Sequence, residues 1–404
     1  MSVTCLGCGC GCDDLIVRVQ DRRIVEVSPP CPLAERWFGD GVVPADTLVS
    51  GRPAAIDEAI EAAATLLSAA SRPTVWLAPD LSTQAQRVAI GIADLLGADL
   101  ESATSDTAAA GILAAQRRGR AAATLGELKN RADVVLFWAV DPTERYPRYL
   151  ERYAAPTSTM SSRDILSVSV GADRGPADAQ LIAEFSPAEE VDALAVMATL
   201  VRGQRLGELP ERLRVAQSLA ERLVRAKYVA IVHDGEPGRE ARDPQRADGL
   251  ISLTQLLNGP TRAMLSTLRA GGNRSGAEAA LTWQTGYPLR VTFMDGHPRA
   301  RKTGVVGHRS DGVLVAGAAA AFGDSLPDFE RTPAVIVGPR ASETTSARVA
   351  IDTGVAGIHE PGTGYRMDDV PLPLTPVLET PRGAAESLAR LLTALRARRA
   401  GGAR

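Results

Sequence analysis

The residues of this chain best suited to inorganic chemistry are its cysteines, and all five fall within the first 31 positions. Cys5, Cys8, Cys12 and Cys31 follow the order C-x2-C-x3-C-x18-C, and the fifth thiol is Cys10. Three thiolates on one tight, Gly-interrupted loop (CLGCGCGCDD), with a fourth returning from beyond a short hairpin, form a ligand spacing for a [4Fe-4S] cluster. Soft thiolates also bind Zn(II), so the ligand set alone leaves zinc open, and an emptied remnant of such a site as well. Cys10 is expected to be a bystander thiol.

Other chemistry is poorly supplied. His233, His297, His308 and His359 are far apart and include no His-x-His pair, so a dinuclear hydrolase site lacks its ligands. Each is expected to be an ordinary surface or core histidine. Neither a Gly-x-Ser-x-Gly elbow nor a Gly-x4-Gly-Lys-Ser/Thr phosphate loop occurs. Gly271-Gly272-Asn273-Arg274 and Gly362-Thr-Gly-Tyr-Arg366 could bring bare amides and a guanidinium to an anion, and the plainer expectation for both is a turn between strand and helix. Arg299, Arg301 and Lys302 form a basic run, either a solvated loop or a dock for carboxylates.

The elements that must position these residues alternate. Leu15 to Val19 and Ile24 to Val27 read as a hairpin turning at Gln20-Asp21-Arg22, which carries the cysteine loop in a module of residues 1–50. From Ile56 a helical pattern gives way to the apolar run TVWLA at Thr74, a helix over Thr83 to Leu96, and VVLFWAV from Val134. Helix alternating with short buried strands predicts parallel sheets flanked by helices, an α/β class. Thr124 to Glu127 and Ser186 to Glu189 match the capping box that opens a helix. A second α/β block starts at Tyr228 (YVAIVHDG), with apolar runs at Leu289 to Phe293, Val313 to Val315 and Val335 to Val337. The polar stretch Gly203 to Pro210 is the candidate boundary, giving α/β domains at 51–205 and 206–404. A Gly/Pro-rich loop, Gly357 to Pro373, precedes a terminal helix from Gly383 to Arg398.

Composition narrows the partners. Lys+Arg 45 against Asp+Glu 48, with 4% aromatic residues and no basic stripe, argues against nucleic acid. No run of 18 apolar residues and no signal-peptide pattern occurs, so no membrane partner and a cytoplasmic location are expected. Cysteines gathered in one group, rather than spread in pairs, suit a reducing compartment.

Three further segments join the cysteines in a recognisable order. They are Gly126-Glu-Leu-Lys-Asn-Arg-Ala-Asp133 running into VVLFWAVDPTERYPRYLERYA, Leu281-Thr-Trp-Gln-Thr-Gly-Tyr-Pro288, and Gly362-Thr-Gly-Tyr-Arg-Met-Asp-Asp-Val-Pro371. With the Cys31-Pro-Leu-Ala-Glu-Arg-Trp-Phe38 context, the sequence resembles the formylmethanofuran dehydrogenase B-subunit family, short relatives of the molybdopterin oxidoreductases. The resemblance implies a molybdopterin-oxidoreductase-like α/β fold around a pterin-bound tungsten or molybdenum centre beside a [4Fe-4S] cluster. By the same resemblance Trp283, Tyr287 and Arg366 line the pterin cleft, and Arg299, Arg301 and Lys302 would receive the acidic arm of a methanofuran-like carrier. One departure matters. The dehydrogenases place a metal-ligating cysteine or selenocysteine after a Thr-Ala dipeptide, where this chain reads Asp106-Thr-Ala-Ala-Ala-Gly-Ile-Leu-Ala114, and it has no cysteine after position 31. Alanine and glycine side chains offer a metal no electron pair. The resemblance therefore points to the B subunit of the bacterial formyltransferase/hydrolase complex, a relative without the redox site. That complex passes a formyl group from formyl-tetrahydromethanopterin to a methanofuran-like carrier and hydrolyses it to formate in sister subunits, and no tungsten- or molybdenum-pterin is expected here. The alternative is a catalytic B subunit of a tungsten or molybdenum dehydrogenase.

Overall fold

The structure is a computed structural model that describes residues 2–156, 162–301 and 310–401. Its contacts divide the chain into two units, one of residues 1–104, 271–366 and 371–404 and the other of 105–270 and 367–370.

In chain order the first unit begins with β1 (Ser2–Val3), β2 (Leu15–Gln20) and β3 (Arg23–Ser28), an antiparallel sheet in the order β1-β2-β3. Asp21 and Arg22, at φ of 50° and 61°, make the two-residue turn between β2 and β3. Such a turn matches the right-handed twist of paired strands. There follow α1 (Pro32–Phe38), β4 (Thr47–Val49), β5 (Arg52–Pro53), α2 (Ile56–Ala69), β6 (Pro73–Leu77), α3 (Thr83–Leu96) and β7 (Asp99–Ser102). The second unit runs through α4 (Asp106–Arg118), α5 (Leu125–Arg131), β8 (Val134–Trp138), β9 (Asp164–Val170), β10 (Gln180–Phe185), α6 (Glu190–Val201), α7 (Glu211–Arg225), β11 (Val229–Asp234), α8 (Arg246–Leu257) and β12 (Ala263–Leu268). The chain then rejoins the first unit with α9 (Arg274–Thr285), β13 (Val291–Thr292), β14 (Arg299–Ala300), β15 (Gly312–Ala316), β16 (Ala334–Gly338), β17 (Val349–Asp352), β18 (Gly362–Tyr365), β19 (Pro371–Leu374) and α10 (Ala384–Gly401).

The first unit's main sheet has the order β14-β13-β7-β6-β15-β16-β17-β4-β5 among the described residues, parallel from β7 to β17 and antiparallel at both margins. Both faces of its centre are covered. Leu314 and Ala316 pack into the core shared with α2, α3, α9 and α10, while Val313 and Val315 face a second cluster holding Phe322 and Trp76, whose rings meet edge to face at 5.1 Å. Each buried Val or Leu here contributes roughly 1.5–3 kcal/mol by leaving water, which is why these strands read as unbroken apolar runs. The second unit's sheet is wholly parallel, in the order β10-β9-β8-β11-β12, and α6, α7 and α8 pack on one face through Leu194, Met197, Leu219, Leu223, Leu250 and Leu253.

The helix starts follow their caps. The Oγ atoms of Ser82, Ser105 and Thr124 accept from the third amide beyond, opening α3, α4 and α5. At Ser186 the Glu189 carboxylate accepts from the Ser186 amide and hydroxyl, and α6 begins one residue later, past a turn. The division into 1–50, 51–205 and 206–404 is not how the described contacts cluster. Residues 203–210 join two helices of one unit, α6 and α7, and β15 pairs with β6 across more than 230 positions, so the first unit is discontinuous. The Gly357 to Pro373 stretch is likewise more ordered than a loop, because Gly362–Tyr365 pairs with Pro371–Leu374. Among the described residues no helix is long and apolar enough to cross a membrane.

Candidate functional site

The cysteine loop is closed by its own backbone. The Cys5 amide donates to the Cys12 carbonyl at 2.8 Å, and the Gly7 amide donates to Cys5 Sγ at 3.2 Å. Gly11, at a φ of +50°, turns the chain where a side chain would be strained. Cys31 stands at the N-cap position of α1 without a side-chain capping bond, and the first helical residue is Pro32. All five thiols are buried and none is in a disulfide. Burial pushes the Cys5 thiol far up, the Gly7 amide opposes it, and Cys8, Cys12 and Cys31 push it up further. The thiols felt at Cys5 include the three that share its cluster-like spacing. Several thiolates cannot coexist in so dry a place unless a cation compensates them, which is the condition a metal centre supplies. Among the described residues no three His, Cys, Asp or Glu side chains stand together as ligands of one ion would. The donor set fits a soft metal group, and the side chains do not present it preassembled.

The loop sits in a tight cradle. A Cβ on Gly271 would lie 2.4 Å from the Gly7 oxygen and 3.0 Å from Cys8 Cα, and one on Gly7 would lie 2.5 Å from the Leu33 oxygen. The Gly272 amide donates to the Leu6 carbonyl at 2.7 Å, and the Asn273 amide donates to the Pro79 carbonyl at 2.6 Å. The Gly272 and Asn273 amides are therefore spent on protein carbonyls, and the turn clamps the cysteine loop rather than cradling a phosphate. Asn273 is fully buried; its Nδ2 donates to the Leu81 carbonyl (3.1 Å) and to Thr83 Oγ1 (2.9 Å), and its Oδ1 accepts from the Tyr365 amide (2.8 Å). Gln84 accepts from the Thr363 amide at 3.0 Å, so the Gly362 to Arg366 strand is also held by side chains. The sequence named Asn273 only as one member of the Gly271 to Arg274 run, because one Asn after a Gly pair gives no sign of its partners, which also include Gln86 Oε1 and the Thr363 carbonyl at 3.3 Å each.

The expected cleft residues separate. Trp283 on α9 is 58% exposed, its ring edge-on to Tyr365 at 5.8 Å. Tyr287 packs against the main core, and the Arg366 side chain lies against Gly11 of the cysteine loop. Arg274 donates to the Ala103 carbonyl. Of the basic run, Arg299 is paired with Asp295 at 3.1 Å, and Arg301, 15% exposed, is held by Glu101 and by Asp99 at 3.5 Å. Those guanidiniums are already matched to carboxylates of this chain. Lys302 and His308 lie outside the described residues.

His359 is buried, with Nε2 2.7 Å from the Gly41 carbonyl and Nδ1 accepting from the Val355 amide at 3.1 Å, so both nitrogens are satisfied in the neutral ring. His233 is buried in the second unit, and His297 is on an exposed loop beside Arg299. In that second unit the segment from Asp106 to Ala114 forms the first turns of α4, and Ala108, Ala109 and Ala114 are buried small side chains.

No family model matches the chain. It is 27% identical over 95% of its length to the B subunit of tungsten-containing formylmethanofuran dehydrogenase 2 of Methanocaldococcus jannaschii, covering 94% of that protein. The corresponding protein of Methanococcus maripaludis is 26% identical over 95% of the chain and 94% of its own length. The B subunit of the formyltransferase/hydrolase complex Fhc of Methylorubrum extorquens is 32% identical over 61% of the chain and 65% of that protein. In structure the chain is similar, with a TM-score of 0.67 and 25% identity, to a chain in the crystal structure of the formyltransferase/hydrolase complex FhcABCD of Methylorubrum extorquens with methylofuran, over 88% of this chain and 99% of that one.

Proposed function

The chain is a homologue of the formylmethanofuran dehydrogenase B subunits, and from that premise we propose that it is the non-redox B subunit of a formyltransferase/hydrolase complex. The observation that carries this reading is the absence of any cysteine after position 31. A metal centre of the dehydrogenase type needs a soft protein ligand, and the small side chains of α4 replace it with none. The likeness to a chain of the FhcABCD structure supports the same assignment and makes sister subunits its partners. Formyl-tetrahydromethanopterin and a methanofuran-like acceptor would be handled by those subunits, in the cytoplasm. The fold ancestry is molybdopterin-oxidoreductase-like, with Tyr287 left packing on the main core, Trp283 edge-on to Tyr365 and Arg366 against the cysteine loop.

Cys5, Cys8, Cys12 and Cys31 are the residues that would hold a [4Fe-4S] cluster, or zinc in its place. When bound, the group would neutralise thiolates that the buried loop does not otherwise tolerate. The chain's own part is to hold the loop, through the Gly7 amide, the Gly271 contact and Asn273.

The overall length match to the dehydrogenase subunits favours a second reading, a catalytic B subunit of a tungsten or molybdenum enzyme. Elemental analysis of the anaerobically purified native complex separates the two. The expected result is no tungsten, molybdenum or pterin, together with formate release from the formyl carrier. Stoichiometric tungsten or molybdenum with viologen-linked formate oxidation would overturn the first reading.

A further inference from the structure

The large apolar side chains that the fold leaves in water are not evenly spread. Of the seven exposed among the described residues, four, Ile16, Val19, Val25 and Val42, belong to the β2–β3 hairpin and the loop that follows α1. The hairpin has already buried Leu15, Val17 and Ile24 in the protein. Single exposed apolar residues are ordinary, whereas a group of them marks a contact surface. β3 is also the last strand of its sheet, and beyond it the Ile24 amide donates to the Asp40 carbonyl at 2.9 Å. Gly41, next in the chain, lines a groove.

The groove has a volume of about 360 Å³ and is lined entirely by residues of the first unit. Val19, Val42, Val43, Val377 and Leu378 make its apolar walls. Gly41 lets those walls approach, because a Cβ there would lie 2.3 Å from Leu378 Cδ1 and 3.0 Å from Ile24 Cδ1. Its inner polar groups are satisfied by the chain itself. The His359 nitrogens are taken by the Gly41 carbonyl and the Val355 amide, and the Thr380 hydroxyl donates to the Arg382 carbonyl at 3.2 Å. A small-molecule site needs a few convergent polar groups to orient its ligand, and these are already spent. Charge is confined to the rim. Arg22 and Glu379 are exposed there, and neither has an ion-pair partner among the described residues. An apolar cleft with one cation and one carboxylate at its margin fits a protein segment, whose apolar side chain fills the cleft while charged neighbours meet the rim.

We propose that this surface docks one sister subunit of the complex, through a segment in which an apolar side chain is flanked by an acidic and a basic residue. The apolar side chain seats between Val19, Val42 and Leu378, the acid meets Arg22 and the base meets Glu379. The inference rests on the assignment to a formyltransferase/hydrolase complex, which the likeness to a chain of the FhcABCD structure supports, and it places one subunit contact on this chain.

The test co-expresses the tagged full chain with the other subunits of its complex and reads their retention by size exclusion over a dilution series. Val19→Asp with Val42→Asp puts charge on the apolar walls and should weaken retention by at least about tenfold. Arg22→Asp with Glu379→Lys reverses the rim at two side chains that have no ion pair to lose. It should weaken retention most at low salt, where charges are least screened, and it decides the matter should the first pair fold poorly. Leu181→Asp, at an exposed site of the second unit, is the control and should change nothing. A parent that holds its sister subunits, with both double variants holding them equally well, overturns this inference and leaves the complex standing. A parent that holds none overturns the assignment and the inference together, and one that dimerises through these residues gives the surface to a second copy and overturns the inference as well.

Discussion

Replacing Asn273 by Ala should unlatch the cysteine loop without unfolding the protein around it. The substitution removes donations to the Leu81 carbonyl and Thr83 Oγ1 and leaves the buried Tyr365 amide without its 2.8 Å acceptor. Each lost bond is worth about 1 kcal/mol net, and an orphaned buried amide at least as much, so the local latch weakens by about 3 kcal/mol. Because about 1.4 kcal/mol is tenfold in an equilibrium constant, the loop's open population should rise on the order of 100-fold. The chain provides its own reporter, since all five cysteines lie in or beside this loop and are buried. Labelling of the reduced, metal-free protein by an aromatic disulfide reagent therefore reads opening of this module alone. When opening and closing outpace labelling, the rate tracks the open population. The expected outcome is labelling about 100-fold faster than the parent, with Arg299→Ser as a control that changes nothing measurable, because its ion pair is exposed. Unchanged labelling, or acceleration matched by an equal loss in global unfolding free energy, would refute the idea that Asn273 serves the loop in particular.

Gly271→Ala should displace the loop as well, since its Cβ would fall 2.4 Å from the Gly7 oxygen; we expect about 1–3 kcal/mol of destabilisation and reduced iron retention after anaerobic reconstitution, measured by elemental analysis. Glu190→Gln breaks a fully buried pair and should lower the urea unfolding free energy by about 3–5 kcal/mol, and adding Arg242→Met should recover much of it. Burial holds the His359 pKa below its ordinary value, against the pull of the Gly41 carbonyl. The unfolded chain therefore takes the proton first, so His359 contributes stability that is full above about 6.5 and is lost as the pH falls below it. Urea midpoints at pH 7.5 and 5.5 should accordingly fall less in His359→Gln than in the parent, and equal falls would contradict the assignment.

Features that repeat locally were legible from the residues alone. Apolar runs such as VVLFWAV and YVAIVHDG announced parallel strands because a strand covered on both faces needs no polar alternation. The cap at Thr124 could be read because a hydroxyl that accepts from an amide three residues on is a local device, whereas Ser186 only donates to Glu189 and α6 starts at Glu190 without a side-chain cap. The cysteine spacing was readable for the same reason. Long-range pairing settled the remainder. Which strands share a sheet depends on partners far along the chain, and so 271–366 returns to the unit that residue 104 leaves. The Gly271-Gly272 turn and Asn273 became a clamp only through Gly7, Leu6, Leu81 and Tyr365, all remote in sequence. Arg301 of the basic run lost its free charge to Glu101 and Asp99, roughly two hundred positions away. Burial and partnership are properties of the folded whole, and only the fold could show that Asn273 is fully buried among its partners and that Arg301 is held by carboxylates of its own chain.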